Sequence, residues 1–258
     1  FLVDVNDSRL KVENITKKDS KRSPSPPFTT SSLQQEASSK LGFSVKQTMT
    51  LAQRLYENGH ITYMRTDSTN LSGLAISSAA GFISVKYGKK YSQTRQYKTK
   101  NASAQEAHEA IRPTHIDRVT AGRDAGQKKL YELIWRRAVA SQMAPAQIER
   151  TDAVISISER KEKLIASGEV LGFDGFFKVY GGNKDDKILP VLEKGQKLDL
   201  ISMGALETYE RAPARYSEAS LVRKLEELGI GRPSTYAPTI NTIQTRGYVE
   251  KKDVEGEA

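Results

Sequence analysis

The most informative stretch of the chain is Gly59-His60-Ile61-Thr62-Tyr63-Met64-Arg65-Thr66-Asp67-Ser68. In an extended backbone, side chains two residues apart lie on one face, so Tyr63 and Arg65 are predicted to point the same way. A phenol with a pKa of about 10 is a poor nucleophile at neutral pH. A neighbouring guanidinium favours the phenolate and can hold a phosphate oxygen. The pair therefore suits attack of a tyrosine on a phosphodiester, while an ordinary half-buried tyrosine beside a solvated arginine fits the same pattern.

Two predicted helices precede this stretch, and each begins with a serine three residues before a glutamine, which is a capping pattern. The first pattern is Ser31-x-x-Gln34, with Gly42 as the helix end, and the second is Ser44-x-x-Gln47, with Asn58-Gly59 as the end. Their apolar stripes are Leu33, Ala37 and Leu41, and then Val45, Met49, Ala52 and Tyr56. Helix, turn, helix and strand is the order of a winged-helix unit, although an ordinary helical hairpin fits equally well.

The chain on either side of this region alternates between strand-like and helical patterns. Residues 1–15 predict one or two strands, and residues 17–27 are polar, basic and proline-rich, which predicts a linker. Further helices are predicted from Ser72 to about Tyr87 and over residues 127–143. Short strands are predicted between residues 151 and 206, at 152–157, 164–168, 176–180 and 197–201.

Residues 105–112 predict a short helix, because Pro113 disfavours helical geometry at the residue before it. On such a helix His108 and Arg112 face the same way, one turn apart. A histidine that titrates near neutrality beside an arginine suits contact with a phosphate. A helix-end histidine packed against a neighbour is the alternative.

After Pro213 two more helices are predicted, with the faces Ala219, Val222, Leu225 and Leu228, and then Tyr236, Ile240 and Ile243, followed by a strand at Tyr248-Val249. Hydroxyl and arginine side chains gather at the two predicted helix starts. They are Arg215, Ser217, Arg232, Ser234 and Thr235. Helix N-termini with such side chains bind anions, and simple N-capping is part of the same pattern.

Composition narrows the class of protein. The formal net charge of +9 and the pI near 9.5 suit a polyanionic partner such as nucleic acid. The absence of cysteine excludes disulfides and thiolate metal sites, and the three histidines are too scattered for a metal cluster. No apolar run is long enough to predict a membrane span. The start at Phe1 rather than methionine suggests an excised piece of a longer chain.

Four ordered stretches together resemble the type IA DNA topoisomerases of bacteria. They are residues 61–68, residues 26–31 continuing to 33–37, residues 105–113, and residues 215–222 with 229–236. Because four long matches occur in the family's chain order, the resemblance is specific. It implies a multi-domain α and β fold in which a helical, winged-helix-like domain carries the active-site tyrosine and is inserted into a β domain. Four parts are expected. Residues 1–27 form the first strands of the β domain and a linker, and residues 28–150 form the domain that carries the tyrosine. Residues 151–210 form the return strands of the β domain, and residues 211–258 form a helical DNA-binding segment.

The resemblance also implies an activity, that of an isomerase that changes DNA topology. In that family a tyrosine cleaves one strand through a 5′-phosphotyrosine, a second strand passes, and religation relaxes negative supercoils without ATP. The implied catalytic residues are Tyr63 as nucleophile, Arg65 as electrostatic partner and His108 as proton relay, with Arg112 holding a phosphate. The implied DNA-binding residues are Arg215, Ser217, Arg232, Ser234 and Thr235.

The family's Mg²⁺ is bound by an acidic Toprim domain, which this sequence does not match, so no metal site is expected within it. The implied partners are single-stranded DNA, negatively supercoiled duplex and the Toprim domain of the same polypeptide, with a cytoplasmic, nucleoid-associated location and no membrane. Without the Toprim domain the piece is expected to be inactive. The alternative reading of the residues is a non-catalytic DNA-binding protein of winged-helix type.

Overall fold

A computed structural model of the chain describes residues 5–6, 8–97, 108–181, 189–210 and 213–252. The chain folds into two compact units. The strand unit comprises Phe1–Ser23 and Ala144–Ala214, and the helical unit comprises Pro24–Met143 and Arg215–Ala258. Among the described residues, the fold class is mixed α and β.

The strand unit is built on a four-stranded antiparallel sheet. Its strands, in the spatial order β3-β2-β1-β4, are β1 (Leu10–Arg22), β2 (Ala146–Ile157), β3 (Lys163–Phe173) and β4 (Lys197–Leu198). Apolar side chains at one end of the sheet, Val5, Leu10 and Ile157, form a small buried cluster. The strands that pair most extensively, β1 and β2, come from opposite sides of residues 24–143 in the sequence.

Two predictions for the strand unit were wrong. Residues 17–22, predicted as part of a linker, continue β1, because ion pairs from Lys17 to Glu149 (3.0 Å) and from Arg22 to Glu169 (2.9 Å) hold the charged residues in the sheet. The predicted strand at 176–180 is instead a 3₁₀ turn, Gly175–Tyr180. Its backbone is turned by Gly175 at φ 47°, where an added Cβ would lie 2.5 Å from the Pro145 carbonyl oxygen.

The helical unit contains α1 (Thr30–Leu41), α2 (Val45–Glu57), α3 (Gly73–Lys86), α4 (Ala125–Ser141), α5 (Glu218–Glu227) and α6 (Tyr236–Thr245), with a 3₁₀ turn at Lys89–Tyr91. The caps predicted at Ser44 and Ser72 are confirmed, since each side chain accepts from an amide three residues on. The cap predicted at Ser31 was wrong: Thr29 caps α1, in a capping box with Ser32.

The predicted apolar face of α2 was wrong at two positions. Leu51, Ala52 and Leu55 are buried, whereas Met49 is only half-buried and Tyr56 is exposed. The stripe is therefore rotated toward Leu51 and Leu55, which leaves the Met49 and Tyr56 side of the helix open. By contrast, the predicted face of α4 is buried throughout, at Leu130, Leu133, Ile134 and Ala138.

Helices α5 and α6 pack against the start of α2. Val45, Val222, Tyr236 and Ile240 form one buried cluster there. The Glu218 carboxylate accepts a 2.9 Å hydrogen bond from the Val45 amide, which is one of the amides that a helix start leaves unpaired. Partial burial acts to raise the pKa of Glu218, but the hydrogen bonds from Val45 and from Lys251 outweigh it and lower that pKa.

Some predicted elements did not form. The segment after α2 carries only an isolated bridge between Ile61 and Pro113, and residues 248–249 are not a strand. Leu228, predicted on the apolar face of α5, is exposed, because the helix ends at that residue. None of the helices in the described parts of the chain combines the length and apolar character needed to cross a bilayer.

Candidate functional site

A tight helix end directs the chain into the segment that carries Tyr63. The His60 amide donates to the Leu55 carbonyl (2.9 Å) and the Gly59 amide to the Tyr56 carbonyl (2.8 Å), which is the Schellman pattern. Gly59 has φ 69°, a left-handed backbone that favours glycine, and an added Cβ would contact nothing within 4 Å. Glycine is therefore favoured here by its left-handed backbone conformation, and not because a side chain would collide with a neighbour.

One buried threonine holds the far end of the same segment. The Thr30 amide donates to the Thr66 carbonyl (2.8 Å), and the Thr66 amide donates back to Thr30 Oγ1 (2.8 Å). Thr30 Oγ1 lies 2.8 Å from the Met64 carbonyl oxygen, to which it donates. Because Met64 and Thr66 are buried while Tyr63 and Arg65 are exposed, this clamp presents the two polar side chains outward.

The near end of the segment is held by residues 110–112. The Thr62 amide donates to the Arg112 carbonyl (2.9 Å), and Thr62 Oγ1 donates to the Ala110 carbonyl (2.7 Å). Residues 108–112 are accordingly not helical, so the predicted helix over 105–112 was wrong for its described part, and residues 105–107 lie outside the described residues. The backbone of residues 110–112 instead forms hydrogen bonds with the Tyr63 segment and with Phe28.

The Thr30 clamp gives a stability prediction. We expect Thr30→Val to lower the free energy of unfolding by about 1–3 kcal/mol, because a buried amide and carbonyl lose a hydrogen-bond partner while the shape is kept. Urea unfolding of this chain measures the change. Thr245→Val is the matched control, since that exposed hydroxyl only donates to the Asn241 carbonyl within α6. Equal losses in the two variants would contradict the assignment of Thr30 as a clamp.

Tyr63 projects from this segment with its ring close to two other aromatic side chains. Its side chain is 40% exposed. The Tyr56 ring lies edge-on to it, with centroids 5.3 Å apart and planes at 67°. The His108 ring lies 6.2 Å from it at 46°. The structure therefore places His108 beside Tyr63.

Tyr63 and Arg65 both line a cleft of about 740 Å³. The sequence predicted that these two side chains point the same way. One wall comes from α2 and the other from α6 and the turn before it. The remaining lining residues are Lys46, Met49, Thr50, Gln53, Arg54, Glu57, Pro233, Ser234, Ala237, Pro238 and Asn241. Lys46, Arg54 and Arg65 give the lining a cationic excess over Glu57, which suits a polyanion.

Arg112 lies outside this lining. Its guanidinium is paired with Glu109 (2.7 Å), donates to the Pro113 carbonyl (2.9 Å) and is 20% exposed. Glu109 also accepts from the Ser72 amide (2.6 Å), so it ties the His108 segment to the start of α3. Burial acts to raise the pKa of Glu109, but the hydrogen bonds from Arg112 and Ser72 lower it overall.

The predicted residues of the C-terminal helices divide between several places. Ser234 lines the cleft with Tyr63 and Arg65. Arg232 and Asp67 both line a separate cavity of about 170 Å³. Thr235 Oγ1 accepts from the Arg232 amide (2.8 Å), and Ser217 caps α5 by accepting from the Ser220 amide (3.2 Å). Arg215 is exposed in the segment before α5 and does not line the cleft.

Sequence analysis missed much of the cleft wall. The polar residues of α2, Lys46, Thr50, Gln53, Arg54 and Glu57, recur every three or four positions opposite its buried face. That spacing places them on one side of a helix and was available in the sequence. Asn241 of α6 had no comparable signal, because only the packing of α6 against α2 brings it to the cleft.

The described residues contain no group of three or more histidine, aspartate or glutamate side chains that could hold a metal ion.

Comparison with known proteins shows the family to which this chain belongs. A family model described as DNA topoisomerase matches residues 1–256. The chain belongs to the DNA topoisomerase family. It is 52% identical over 235 residues to DNA topoisomerase 1 of Vibrio cholerae, covering 88% of this chain and 26% of that protein. It is 50% identical over 234 residues to DNA topoisomerase 1 of Pseudomonas aeruginosa, covering 88% and 27%.

A solved structure agrees with the sequence relatives. Full-length topoisomerase I from Thermotoga maritima superposes with a TM-score of 0.84 at 41% identity, covering 95% of this chain and 42% of that one. The resemblance to bacterial topoisomerases inferred from the motifs is thereby confirmed. The chain spans about a quarter of the length of the Vibrio and Pseudomonas relatives.

Proposed function

We propose that this chain is the tyrosine-bearing part of a type IA DNA topoisomerase. Such an enzyme cleaves one DNA strand transiently, passes a second strand and reseals the first, relaxing negative supercoils without ATP. The observation that carries the proposal is the clamped segment that presents Tyr63 and Arg65 together into a cationic cleft. Family membership supports the same activity.

In the proposed cleavage step, Tyr63 Oη attacks the phosphorus of a single-stranded DNA phosphodiester. The new O–P bond forms a 5′-phosphotyrosine, the bond to the 3′-oxygen breaks, and that oxygen leaves as a hydroxyl after taking up a proton. Arg65 stabilises the charge on the phosphoryl oxygens. His108, whose ring lies 6.2 Å from that of Tyr63, relays the phenolic proton. Religation is the reverse of these steps.

In the proposed binding mode, Lys46 and Arg54 of α2 and Arg65 of the Tyr63 segment neutralise phosphates, and Ser234 contacts the strand from the opposite wall. Arg215, Ser217, Arg232 and Thr235 extend the contact along the starts of α5 and α6, where helix N-termini favour anions. A phosphate contact by Arg112 would first require its pair with Glu109 to break. That pair favours a role in fixing the backbone beside His108.

The proposal includes the arrangement of the longer enzyme. The direct pairing of β1 with β2 across residues 24–143 supports a tyrosine domain inserted into a β domain. We propose that Mg²⁺ is held by a Toprim domain of the same polypeptide, where it supports chemistry at the scissile phosphate. Negatively supercoiled duplex in the cytoplasmic nucleoid is the proposed substrate.

A non-catalytic DNA-binding protein would share the cationic cleft. It would have no use for a tyrosine that lies beside a histidine and shares the cleft with an arginine. Formation of a covalent adduct separates the two functions.

For this chain alone, we expect binding to single-stranded DNA that weakens steeply with salt. Three cationic side chains line the cleft, and each phosphate contact contributes about −0.7 to the slope of log K against log salt. A slope of about −2 or steeper is expected from fluorescence anisotropy of a labelled oligonucleotide. Lys46→Ala should reduce the slope by about 0.7, whereas Lys18→Ala in the strand unit should not.

The same samples on a denaturing gel test the chemistry. The chain alone, with magnesium, should give no covalent band, and adding a Toprim-bearing piece of the polypeptide should restore some trapping. A salt-insensitive affinity would contradict the phosphate-binding cleft. Failure of the full-length polypeptide to form any adduct would contradict the topoisomerase function, and a band from the chain alone would show that the acidic domain is dispensable for cleavage.

A further inference from the structure

Tyr56 is exposed to the same extent as Tyr63, 40%, although it lies on a well-packed helix. Its ring is edge-on to Tyr63, with centroids 5.3 Å apart and planes at 67°. Aromatic pairs favour this edge-to-face arrangement at centroid separations of about 4.5–7 Å. The Tyr56 ring is not part of the buried core, and the ring that it contacts is that of Tyr63.

The backbones of the two tyrosines are fixed relative to each other. The Schellman hydrogen bonds of Gly59 and His60 hold the last turn of α2, which carries Tyr56. The Thr30 clamp and the Thr62 hydrogen bonds hold the backbone on either side of Tyr63. What these bonds leave free is rotation of the Tyr63 side chain about its own torsions.

The rotation of an exposed tyrosine is limited by the rings beside it, here Tyr56 and His108. The nearer ring centre is that of Tyr56, with centroids 5.3 Å apart against 6.2 Å for His108. Attack on phosphorus requires the nucleophilic oxygen at about 3–3.5 Å from the reacting atom and aligned with the leaving group. Swinging the ring carries the hydroxyl away from that position.

We infer that Tyr56 is a positioning residue for the nucleophile: its ring fixes the orientation of the Tyr63 ring in the cleft. The inference rests on the proposed cleavage reaction and adds a residue to it. The edge-on contact uses the aromatic ring of Tyr56 and not its hydroxyl. Phenylalanine should therefore replace it, and a flexible aliphatic side chain should not.

The first test measures cleavage and binding separately in the full-length polypeptide that carries this chain. We expect Tyr56→Leu to slow formation of the covalent adduct by about 10- to 100-fold, the range that a small misplacement of a reacting group produces. Tyr56→Phe should cleave at the wild-type rate. Oligonucleotide affinity should change little in either variant, and Tyr209→Leu, at an exposed tyrosine of the strand unit, should leave both quantities unchanged.

Three outcomes of this test would overturn the inference. They are an unchanged rate in Tyr56→Leu, a rate loss that is matched by an equal loss of affinity, and an equal loss in the Leu and Phe variants. The last would transfer the role from the ring to the hydroxyl.

A second test uses the chain alone and needs no activity. In the NMR spectrum of tyrosine-labelled protein, the edge-on ring of Tyr56 should shift the Tyr63 ring resonances. The shift should survive Tyr56→Phe and disappear in Tyr56→Leu, and its absence from the wild type would overturn the inference. If the wild-type full-length polypeptide forms no adduct, the proposed function fails, and the ring shift still decides whether Tyr56 orients Tyr63.

Discussion

Replacing Tyr63 by phenylalanine is expected to abolish the covalent adduct while leaving the affinity for single-stranded DNA nearly unchanged. The substitution removes only the hydroxyl, and the ring keeps its packing against Tyr56 and His108. Binding depends on the cationic side chains of the cleft, which the substitution does not touch. By analogy with other covalent nucleophiles, the loss of cleavage is on the order of 10⁴-fold or more.

The measurement is a denaturing gel of a labelled oligonucleotide with the full-length polypeptide and magnesium, beside an anisotropy titration. Tyr209→Phe is the matched control, because Tyr209 is 77% exposed and lies in the strand unit. It should give a normal adduct. Appreciable cleavage or relaxation by the Tyr63→Phe protein would show that another group is the nucleophile.

Arg65→Lys is expected to lower the cleavage rate by roughly 10- to 1000-fold, as the loss of one electrostatic donor does in other sites. Lysine keeps the positive charge but loses the planar pair of donors that matches two phosphate oxygens. Because Arg65 lies two residues from Tyr63 and lines the same cleft, its fork is suited to the phosphate under attack.

Single-turnover cleavage by Arg65→Lys should be compared with that of Arg150→Lys. Arg150 lies on β2 and pairs with Asp152 at 3.0 Å, so its substitution should leave the rate unchanged. A wild-type rate in Arg65→Lys would mean that this guanidinium is only a solvated neighbour of Tyr63.

Local signals in the sequence were sufficient for many elements of the helical unit. Ser44, Ser72 and Ser217 were each predicted at a helix start, and each caps a helix. Capping is decided within three or four residues, so the sequence contains the whole interaction. That Tyr63 and Arg65 point the same way was also predictable, because the two residues are only two positions apart.

Interactions between distant residues account for the errors. Residues 108–112 have helix-compatible side chains, but their backbone bonds to Thr62 and Phe28, some 50 and 80 residues away in the sequence. Residues 17–22 have the composition of a linker and become strand because β2 supplies a ladder, while Glu149 of β2 and Glu169 of β3 supply ion pairs. Tyr56 was placed on an apolar stripe because its spacing fits one, whereas the buried face of α2 is formed by Leu51, Ala52 and Leu55 and leaves Tyr56 exposed.

Hydrogen bonds hold helix α2 at both of its ends. Its first amide is bound by the Glu218 carboxylate of α5, and its last turn is closed by Gly59. Thirteen residues of α-helix span about 20 Å and bend little over that length. The helix therefore joins the C-terminal helices to the Tyr63 segment: its first turn is bound by α5, and its last turn carries the ring that contacts Tyr63.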